Sequence, residues 1–429
     1  RNDMTIARAL WSVLVTAMTP FAVLRLAWRA RRQPEYLQHV GERFGHYAIN
    51  AGEPLLWIHA VSVGETRAAQ PLVDALRRAH PDHRILLTHM TPTGRETGVQ
   101  LFADAVARCY LPYDTPGAVD RFLRHFRPAL GIVMETELWP NLICRAAAAG
   151  TPMLLVNARL SERSARGYAR IGRLTAEALG ALRVVGAQTE ADAQRLSALG
   201  ARNVQVTGNL KFDRAPTAAD TQTGIAMRTL WGARFVFLAA STREGEEELI
   251  LDALAGQFDA MLTVLVPRHP QRFDDVAQRL ARRGLRYQRR SENRPIAPTT
   301  QVVLGDSMGE MFAYFTSCDA AFVGGSLLPL GGQNLLEACA VGRAVLVGPH
   351  TFNFIEATEL AIAAGAAQRV EDAAALAAAI ARLREDAPAR TRMGEAGLDL
   401  MRRHQGATAR TLELIAPLLT QPARGMPTR

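Results

Sequence analysis

The chain has 429 residues, of which 48% are hydrophobic and 21% are charged, so a wholly disordered protein is excluded and two domains can be accommodated. The formal net charge of +9 favours an anionic partner. The sequence has no RNA-binding, helix-turn-helix or zinc-finger pattern, so we expect a membrane surface or a phosphorylated lipid rather than nucleic acid.

The first predicted element is an apolar helix over Ala9–Leu24 without any charged residue. Four arginines follow it: Arg25, Arg29, Arg31 and Arg32. Such a helix is about 24 Å long, short of the roughly 30 Å of hydrocarbon in a bilayer, and Pro20 is expected to kink it. Because the basic residues follow the apolar run, a cleaved signal peptide is not expected.

Three interpretations of residues 4–32 fit this pattern. The segment can be a short anchor with its arginine end in the cytosol, a hydrophobic helix lying in the membrane interface, or a first helix packed in the core. The first two interpretations keep the body of the protein in the cytosol.

From Leu55 onward, short apolar runs alternate with helical stretches, which predicts parallel strands covered by helices. The first six predicted strands are Leu55–Ala60, Arg84–Met90, Ala129–Met134, Met153–Ala158, Val184–Gln188 and Asn203–Gly208. After a polar stretch, five more are Phe235–Ser241, Met261–Pro267, Gln301–Gly305, Ala320–Ser326 and Ala344–Pro349. We predict an α/β fold of two doubly wound Rossmann-like domains, 33–215 and 225–429, joined by a linker at 216–224 and facing a central cleft.

Ligands bind at the carboxyl ends of the strands in such sheets, so polar residues there are the candidate site residues. In HAVSVGE, Glu65 follows the first strand and begins a helix, and it is a candidate general base. The alternative is a glutamate that only complements the helix dipole. In METELWPN, Glu135 follows a strand and can hold the acceptor or stabilise the transition state, whereas Glu137 can equally be a salt-bridge partner.

Two further cationic positions follow strands. In GNLKFD, Lys211 is either a solvated surface charge or a group that meets an anionic donor. In VPRHP, Arg268 ends a strand and is suited to a phosphate or a carboxylate.

The second half of the chain carries several loops that indicate a nucleotide site. In STREGEEE we expect Ser241 at a helix start that favours a phosphate, or alternatively in a capping box with Glu244. In GGSLLPLGGQNLLE, two glycine pairs let the backbone approach a ligand, and Glu337 can accept two ribose hydroxyls.

Other motifs do not occur in the sequence. It has no Walker A loop, GxSxG elbow, HExxH or dinucleotide GxGxxG, and the acidic residues lack DxD spacing, so we expect no metal. The four cysteines form no CxxC pair and predict buried, reduced thiols.

Taken in order, HAVSVGE, METELWPN, NARLS, GNLKFD, STREGEE, VPRHP, GDSMGE and GGQNLLE closely resemble the motifs of 3-deoxy-D-manno-octulosonic acid (Kdo) transferases. The resemblance covers nearly the whole chain and includes the GPHTFNF segment at 348–354. It implies a GT-B-type inverting glycosyltransferase at the cytosolic face of the inner membrane of Gram-negative bacteria. Such an enzyme acts in lipopolysaccharide biosynthesis, without a cofactor, and transfers Kdo from CMP-Kdo to lipid IVA, a lipid A precursor.

The resemblance also implies a role for each matching residue. Glu65 is implied as the proton acceptor, and Glu135 and Lys211 as residues that stabilise the transition state. With Ser241 added from the strand-end analysis, the expected donor-binding residues are Ser241, Pro267, Arg268, Met308, Gly309, Glu310, Asn334, Leu335, Leu336 and Glu337. The chain departs from the family pattern at Gln333, where histidine is expected, although an amide can still donate and accept.

Two other functions fit parts of the pattern. A nucleotide-sugar epimerase can share the two-domain body but needs no apolar N-terminal segment. A non-catalytic membrane scaffold that binds a nucleotide sugar needs no general base.

Overall fold

The computed structural model describes residues 5–31, 33–50 and 52–420. The chain divides into two compact units, and the boundary falls between Asp213 and Arg214. Unit 1 contains the residues up to Asp213 and those from Gln405 onward, and unit 2 contains Arg214–His404. Met4, Arg32 and residues 421–429, which belong to the predicted N-terminal segment and second domain, lie outside the described residues.

This division differs from our prediction at two places. The stretch 216–224 is not a linker, because helix α9 (Ala218–Trp231) begins there with a capping box between Thr217 and Asp220. The last helix belongs to unit 1, because Asp213 accepts a hydrogen bond from the Gly406 N–H (2.6 Å). The linker-like composition of 216–224 did not indicate the helix. The contact between the last helix and Asp213 joins residues far apart in the sequence, so it cannot be predicted from the sequence.

Unit 1 contains a parallel sheet of seven strands in the order β3-β2-β1-β4-β5-β6-β7. In chain order the strands are β1 Leu55–His59, β2 Arg84–His89, β3 Ala107–Tyr110, β4 Leu130–Met134, β5 Met153–Ala158, β6 Val184–Ala187 and β7 Val204–Val206. Its helices are α1 Ile6–Ala30, α2 Val63–Ala79, α3 Pro92–Phe102, α4 Pro116–Phe126, α5 Pro140–Ala148, α6 Glu162–Arg170, α7 Gly172–Ala181, α8 Glu190–Ala198 and α17 Ala407–Thr420.

Unit 2 contains a second parallel sheet of seven strands, in the order β10-β11-β9-β8-β12-β13-β14. The strands are β8 Val236–Thr242, β9 Leu262–Pro267, β10 Tyr287–Arg289, β11 Val302–Leu304, β12 Ala320–Val323, β13 Ala344–Val347 and β14 Ala367–Arg369. Besides α9, its helices are α10 Glu246–Ala253, α11 Phe273–Arg282, α12 Met311–Ser317, α13 Leu336–Ala340, α14 Ile355–Ala363, α15 Ala373–Glu385 and α16 Ala387–His404.

The predicted α/β class with two Rossmann-like domains is confirmed, and each of the eleven predicted strands is present. The central strands are fully buried, which is why they read as continuous apolar runs. The three unpredicted strands are β3, β10 and β14, and each lies at the edge of its sheet. Edge strands are covered less completely, so short sequences such as YQR and AQR carry no apolar run.

Each sheet has one topological switch point, where the winding direction reverses. In unit 1 it lies between β1 and β4, and in unit 2 between β8 and β12. No crossover helix covers the carboxyl ends of the two central strands at a switch point, so a crevice opens there. The fold therefore places a candidate site beyond β1 and β4 and a second one beyond β8 and β12.

The N-terminal helix α1 is longer than predicted. It runs for 25 residues past Pro20 and past Arg25 and Arg29, because arginine is a good helix former and no glycine follows the proline. Most of its apolar side chains are exposed, which contradicts the interpretation of a helix packed in the core. By length and composition, α1 is the one described helix that could cross a membrane.

Candidate active site

The loop after β1 carries Glu65 into the first turn of α2. Its carboxylate accepts hydrogen bonds from the Val61 backbone N–H (2.9 Å) and the Ser62 hydroxyl (3.3 Å). The residue is only 9% exposed. These two bonds fix the carboxylate at the carboxyl end of β1, on one side of the unit 1 switch point.

The protonation of Glu65 is governed by burial. The pKa of Glu65 is raised to about 8, chiefly by desolvation and to a smaller extent by the negative charges of Glu135 and Glu137. The hydrogen bonds from Val61 and Ser62 oppose this shift without cancelling it. Glu65 is thus a carboxylate whose pKa lies close to neutral pH, as a general base requires.

The loop after β4 places Glu135 on the other side of the same switch point. Glu135 has a left-handed backbone (φ 56°), and its N–H donates to the Val156 carbonyl (2.9 Å). A non-glycine residue in this region is uncommon and costs about 1–3 kcal/mol, so the surrounding sheet must hold it there. Strain of this kind is concentrated at functional sites.

Lys211 lies beside Glu135, with 3.9 Å between Nζ and Oε1. It sits in a 3-10 turn, Leu210–Asp213, after β7. Buried Asn157, also left-handed (φ 54°), fixes this turn because its Oδ1 accepts the Leu210 N–H (3.0 Å). Asn157 was quoted only as part of the NARLS motif, and its positioning role was not predicted.

Glu137 and Trp139 complete the loop after β4. Burial and the charge of Glu135 raise the pKa of Glu137, and no ion pair of Glu137 with another described residue is present. Trp139 packs edge-on against the buried ring of His59 at the end of β1 (6.4 Å between centroids). The salt-bridge interpretation of Glu137 is therefore not supported within the described part of the chain.

In unit 2, our expectation for Ser241 is wrong. Ser241 does not stand at a helix start: it lies in β8, while α10 begins four residues after Thr242 with Gly245 as its N-cap. The predicted capping box with Glu244 is absent for the same reason. Ser241 is instead left-handed (φ 55°) at a register shift between β8 and β9.

A buried carboxylate joins the two loops of the unit 2 switch point. Glu246 is fully buried, and its side chain accepts four backbone N–H groups. The donors are Arg243 (2.9 Å), Gly325 (2.6 Å), Ser326 (2.9 Å) and Leu327 (3.0 Å). The N–H groups of Gly325 and Ser326 are therefore already bonded within the protein.

Two arginines lie together at the ends of β8 and β9. The Arg268 N–H donates to the Thr242 carbonyl (2.9 Å), which brings Arg268 next to Arg243. Burial and the nearby charge of Arg243 lower the pKa of Arg268, while Glu337 opposes them. Neither guanidinium forms an ion pair with a described residue. Sequence reasoning missed Arg243, although its position directly after a central strand was a usable signal.

The remaining predicted donor-binding residues follow other strands of the same sheet. Met308, Gly309 and Glu310 follow β11, and the Glu310 carboxylate accepts from the Arg290 guanidinium (3.1 Å). Asn334 and Leu335 precede α13, and Leu336 and Glu337 begin it. Pro267 ends β9.

One carboxylate oxygen of Glu337 is already engaged in an ion pair. The residue is buried and paired with Arg214. The Asn334 side chain accepts the Leu336 N–H (3.2 Å), which shapes the turn into α13.

Two predictions on metals and thiols can be compared with the described residues. All four cysteines are free and buried, as predicted. Among residues 5–31, 33–50 and 52–420, no group of three or more His, Cys, Asp or Glu side chains is arranged to hold a metal ion.

Known proteins resemble the chain over almost its whole length. A sequence profile described as 3-deoxy-D-manno-octulosonic-acid transferase (kdotransferase) matches residues 38–214. The chain is 46% identical to the 3-deoxy-D-manno-octulosonic acid transferase of Bordetella pertussis, over 95% of this chain and 98% of that protein. It is 38% identical to the transferase of the same name from Haemophilus influenzae, over 96% of this chain and 99% of that protein.

Solved structures resemble the fold at low sequence identity. UDP-GlcNAc 2-epimerase from Neisseria meningitidis superposes with a TM-score of 0.57 at 17% identity, over 85% of this chain and 99% of that one. A glycosyltransferase from Rickettsia africae superposes with a TM-score of 0.54 at 13% identity, over 86% of this chain and 99% of that one. These likenesses show a GT-B-type fold and do not separate transferases from epimerases.

The role of Glu246 gives a first testable prediction. Glu246→Gln replaces one acceptor oxygen with an amide donor that faces backbone N–H groups. Leaving buried donors unpaired costs about 1–3 kcal/mol each, so the loop 324–327 should open more easily. Hydrogen exchange followed by mass spectrometry should show faster exchange in peptides that cover this loop.

Glu244→Gln is the matched control, because Glu244 is exposed and lies two residues earlier in the chain. It should leave exchange at 324–327 unchanged. Equal exchange rates in the two variants would contradict the role of Glu246.

Proposed function

The chain belongs to the 3-deoxy-D-manno-octulosonic acid transferase family, and we propose that it transfers Kdo from CMP-Kdo to lipid IVA with inversion at the anomeric carbon. The single observation that carries the mechanism is the buried Glu65 carboxylate, whose pKa is raised to about 8. Family membership supports Kdo transfer as the reaction. The donor nucleotide, the lipid acceptor and the individual roles of residues are our proposal.

In this mechanism Glu65 accepts the proton of an acceptor hydroxyl. The hydroxyl oxygen attacks the anomeric carbon of Kdo from the face opposite the CMP phosphate, and the bond to that phosphate breaks. A carboxylate whose pKa lies near the pH of the medium is still ionised in part. It is also a stronger base than a carboxylate of ordinary pKa, which favours proton transfer. Attack from the opposite face inverts the anomeric centre.

Lys211 and Glu135 stabilise the transition state in this proposal. The ammonium of Lys211 lies 3.9 Å from Glu135 and can stabilise the negative charge that develops on the departing phosphate. The left-handed backbone of Glu135 directs its side chain from the end of β4. Because Glu135 also raises the pKa of Glu65, it contributes to the strength of the base.

Unit 2 binds the donor in this proposal. Its anions are the CMP phosphate and the Kdo carboxylate, and Arg268 and Arg243 offer two guanidinium groups without carboxylate partners among the described residues. Guanidinium groups bind phosphate and carboxylate through paired hydrogen bonds. The apolar helix α1 keeps the enzyme at the cytoplasmic side of the inner membrane, where the lipid acceptor is found.

Transfer itself is the first test. The protein incubated with CMP-Kdo and lipid IVA should yield a lipid whose mass increases by Kdo, with release of CMP. Glu65→Gln should lower kcat by about 100-fold or more, because a general base contributes roughly 10²–10⁴-fold.

CMP affinity of the Glu65→Gln variant is the control, and it should equal that of the wild type.

Isomerisation of the nucleotide sugar without transfer would favour an epimerase. CMP binding without any turnover of donor would favour the membrane scaffold. Unchanged turnover of Glu65→Gln would remove this residue from the base role.

The raised pKa of Glu65 predicts a pH dependence. Glu65 is active only when it is deprotonated, so kcat/KM should fall about tenfold per pH unit below a midpoint near pH 8 and level off above it. Removing the charge of Glu137, which helps to raise the pKa of Glu65, should move this midpoint to lower pH. The measurement is a pH profile of kcat/KM for the wild type and Glu137→Gln.

Two results would contradict this assignment. A midpoint near pH 4.5 would mean that Glu65 is solvated during catalysis. A midpoint that rises in Glu137→Gln would have the wrong sign for the loss of a nearby negative charge.

Arg243 gives a separate prediction for donor binding. A hydrogen bond to a charged group contributes about 1.5–3 kcal/mol, so Arg243→Ala should raise KM for CMP-Kdo roughly tenfold or more. Arg243→Lys should restore part of the affinity, because it keeps the charge without the planar fork. Steady-state kinetics with varied CMP-Kdo measures both effects.

Arg282→Ala is the control, since Arg282 is an exposed arginine of unit 2 without an ion pair among the described residues. Its KM should match the wild-type value. A KM for Arg243→Ala equal to that of this control would exclude Arg243 from the donor site.

A further inference from the structure

Helix α1 is attached to unit 1 along one face and near both of its ends. Near the N-terminus, Arg8 pairs with Glu177 of α7 (3.0 Å) and the Trp11 indole donates to buried Asp114 (2.8 Å). The Ser12 hydroxyl donates to the Asn141 side chain (3.0 Å).

The C-terminal end of α1 packs on the segment that directly follows it, which contains the 3-10 turn Pro34–Leu37. Leu26 and Ala30 are buried, and Arg29 donates to the Tyr36 hydroxyl (3.3 Å) in the segment that follows the helix. That segment leads into a 3-10 turn in which Glu42 accepts the Tyr110 N–H of β3 (2.8 Å).

The helical period shows that the buried positions share one face. Eighteen residues make five full turns, so Arg8 and Leu26 point in the same direction, as do Ser12 and Ala30. These four residues are the buried residues of α1. The helix therefore turns the same face towards the protein at both ends, which lie about 33 Å apart at 1.5 Å per residue.

The opposite face of α1 is apolar and exposed. Its large side chains recur at helical spacing: Ile6, Leu10, Val13, Leu14, Phe21, Leu24 and Trp28. Leu10 and Trp28, near the two ends, are 66% and 61% exposed. A continuous apolar face of this length on a soluble domain indicates a contact with lipid or protein.

A spanning orientation conflicts with this attachment. The stretch between the buried positions Ser12 and Leu26 has 13 residues, which is about 20 Å of helix and less than the roughly 30 Å of hydrocarbon. Spanning would therefore draw the Arg8–Glu177 pair and Asp114 into the bilayer, and charged groups are costly there.

A cationic surface adjoins the attachment of α1. Its members, here called the arginine surface, are Arg159, Arg163, Arg166, Arg170 and Arg173. All five are exposed, and none forms an ion pair with another described residue. Arg173 lies one helical turn before Glu177, the partner of Arg8, so this surface begins beside α1.

The arginine surface also adjoins the candidate active site. No residue of α6 is buried, and Tyr168 of α6 donates to the carbonyl of Thr136 (3.0 Å), the residue after Glu135. Arg163, Arg166 and Arg170 are spaced to lie on one face of α6. Exposed arginines beside an apolar helix are complementary to an anionic lipid surface.

We propose that α1 lies flat in the plane of an anionic bilayer, with its exposed apolar face in the lipid and the arginine surface on the phospholipid head groups. This orientation places the catalytic carboxylates of unit 1 beside the membrane instead of on a tether. It rests on the proposed function only in identifying the surface as a membrane, and its depth and partition tests require no turnover.

The depth of α1 in vesicles tests the flat orientation. Single cysteines that carry a nitroxide are placed at Leu10, Ala17 and Leu24 of the full chain, since these positions are seven residues apart on the exposed face and all four native cysteines are buried. In vesicles of phosphatidylcholine with phosphatidylglycerol, the three labels should lie at equal depth, about 5–10 Å below the head groups. A label at Ala17 clearly deeper than the other two would show a spanning helix and overturn the proposal.

Charge reversal tests the arginine surface. The triple variant Arg163→Glu, Arg166→Glu, Arg170→Glu should lose at least tenfold in partition to vesicles containing phosphatidylglycerol. Its partition to neutral phosphatidylcholine vesicles should stay within twofold, because α1 is unchanged. Vesicle sedimentation measures both quantities.

The control is the triple variant Arg282→Glu, Arg392→Glu, Arg403→Glu, which makes the same charge change at exposed arginines of unit 2. It should partition like the wild type. Equal losses in the two triples would show a general charge effect and overturn the proposal.

A second readout separates the bilayer from the acceptor. Unchanged vesicle binding together with a raised KM for detergent-dispersed lipid IVA would assign the arginine surface to the acceptor and overturn the proposal. If the wild-type protein binds vesicles as expected but transfers no Kdo, the proposed function alone is contradicted. Thermal melting confirms that each triple variant is folded.

Discussion

The reversal of winding within each parallel sheet is the constraint on which the candidate sites depend. Parallel strands need crossover connections, and these cover both faces of a sheet while leaving the carboxyl ends of its strands open. Where the winding reverses, between β1 and β4 and between β8 and β12, two neighbouring loops diverge around a crevice. Glu65 and Glu135 follow one such pair of strands, and Arg243 and Gly324 follow the other.

Glu65 differs from the buried carboxylates that have a structural role in the units. Structural charges are fully paired: Glu247 accepts two bonds from Arg272 (2.6 and 3.0 Å). Glu246 accepts four backbone N–H groups. Glu65, in contrast, has only two hydrogen bonds, so its pKa is raised by burial and, to a smaller extent, by two like charges nearby. A charge left incompletely paired at a crevice is available for a ligand or a proton.

The attachment of α1 links membrane association to the candidate active site. Polar bonds from Arg8, Trp11 and Ser12 hold the helix on unit 1, so its apolar face is fixed relative to Glu65 and Glu135. An enzyme that acts on a lipid gains from such an arrangement, because the acceptor does not have to leave the membrane to reach the base. A hydrophobic N-terminal segment by itself would suggest a flexible tether. In the structure, α1 is instead held against unit 1 by these bonds.

The sequence by itself determined the α/β class, the central strands and the family, because buried parallel strands read as apolar runs and their ends carry recognisable polar motifs. It also indicated Glu65, Glu135 and Lys211 as the residues to consider. Tertiary structure alone decided the features that depend on contacts distant in sequence. These include the pKa of Glu65, which burial controls, and the bonds of Asp213 that return the last helix to unit 1. Three further features depend on such contacts: the edge strands, the bulge at Ser241 and the attachment of α1. Local sequence shows neither burial nor the identity of a distant partner.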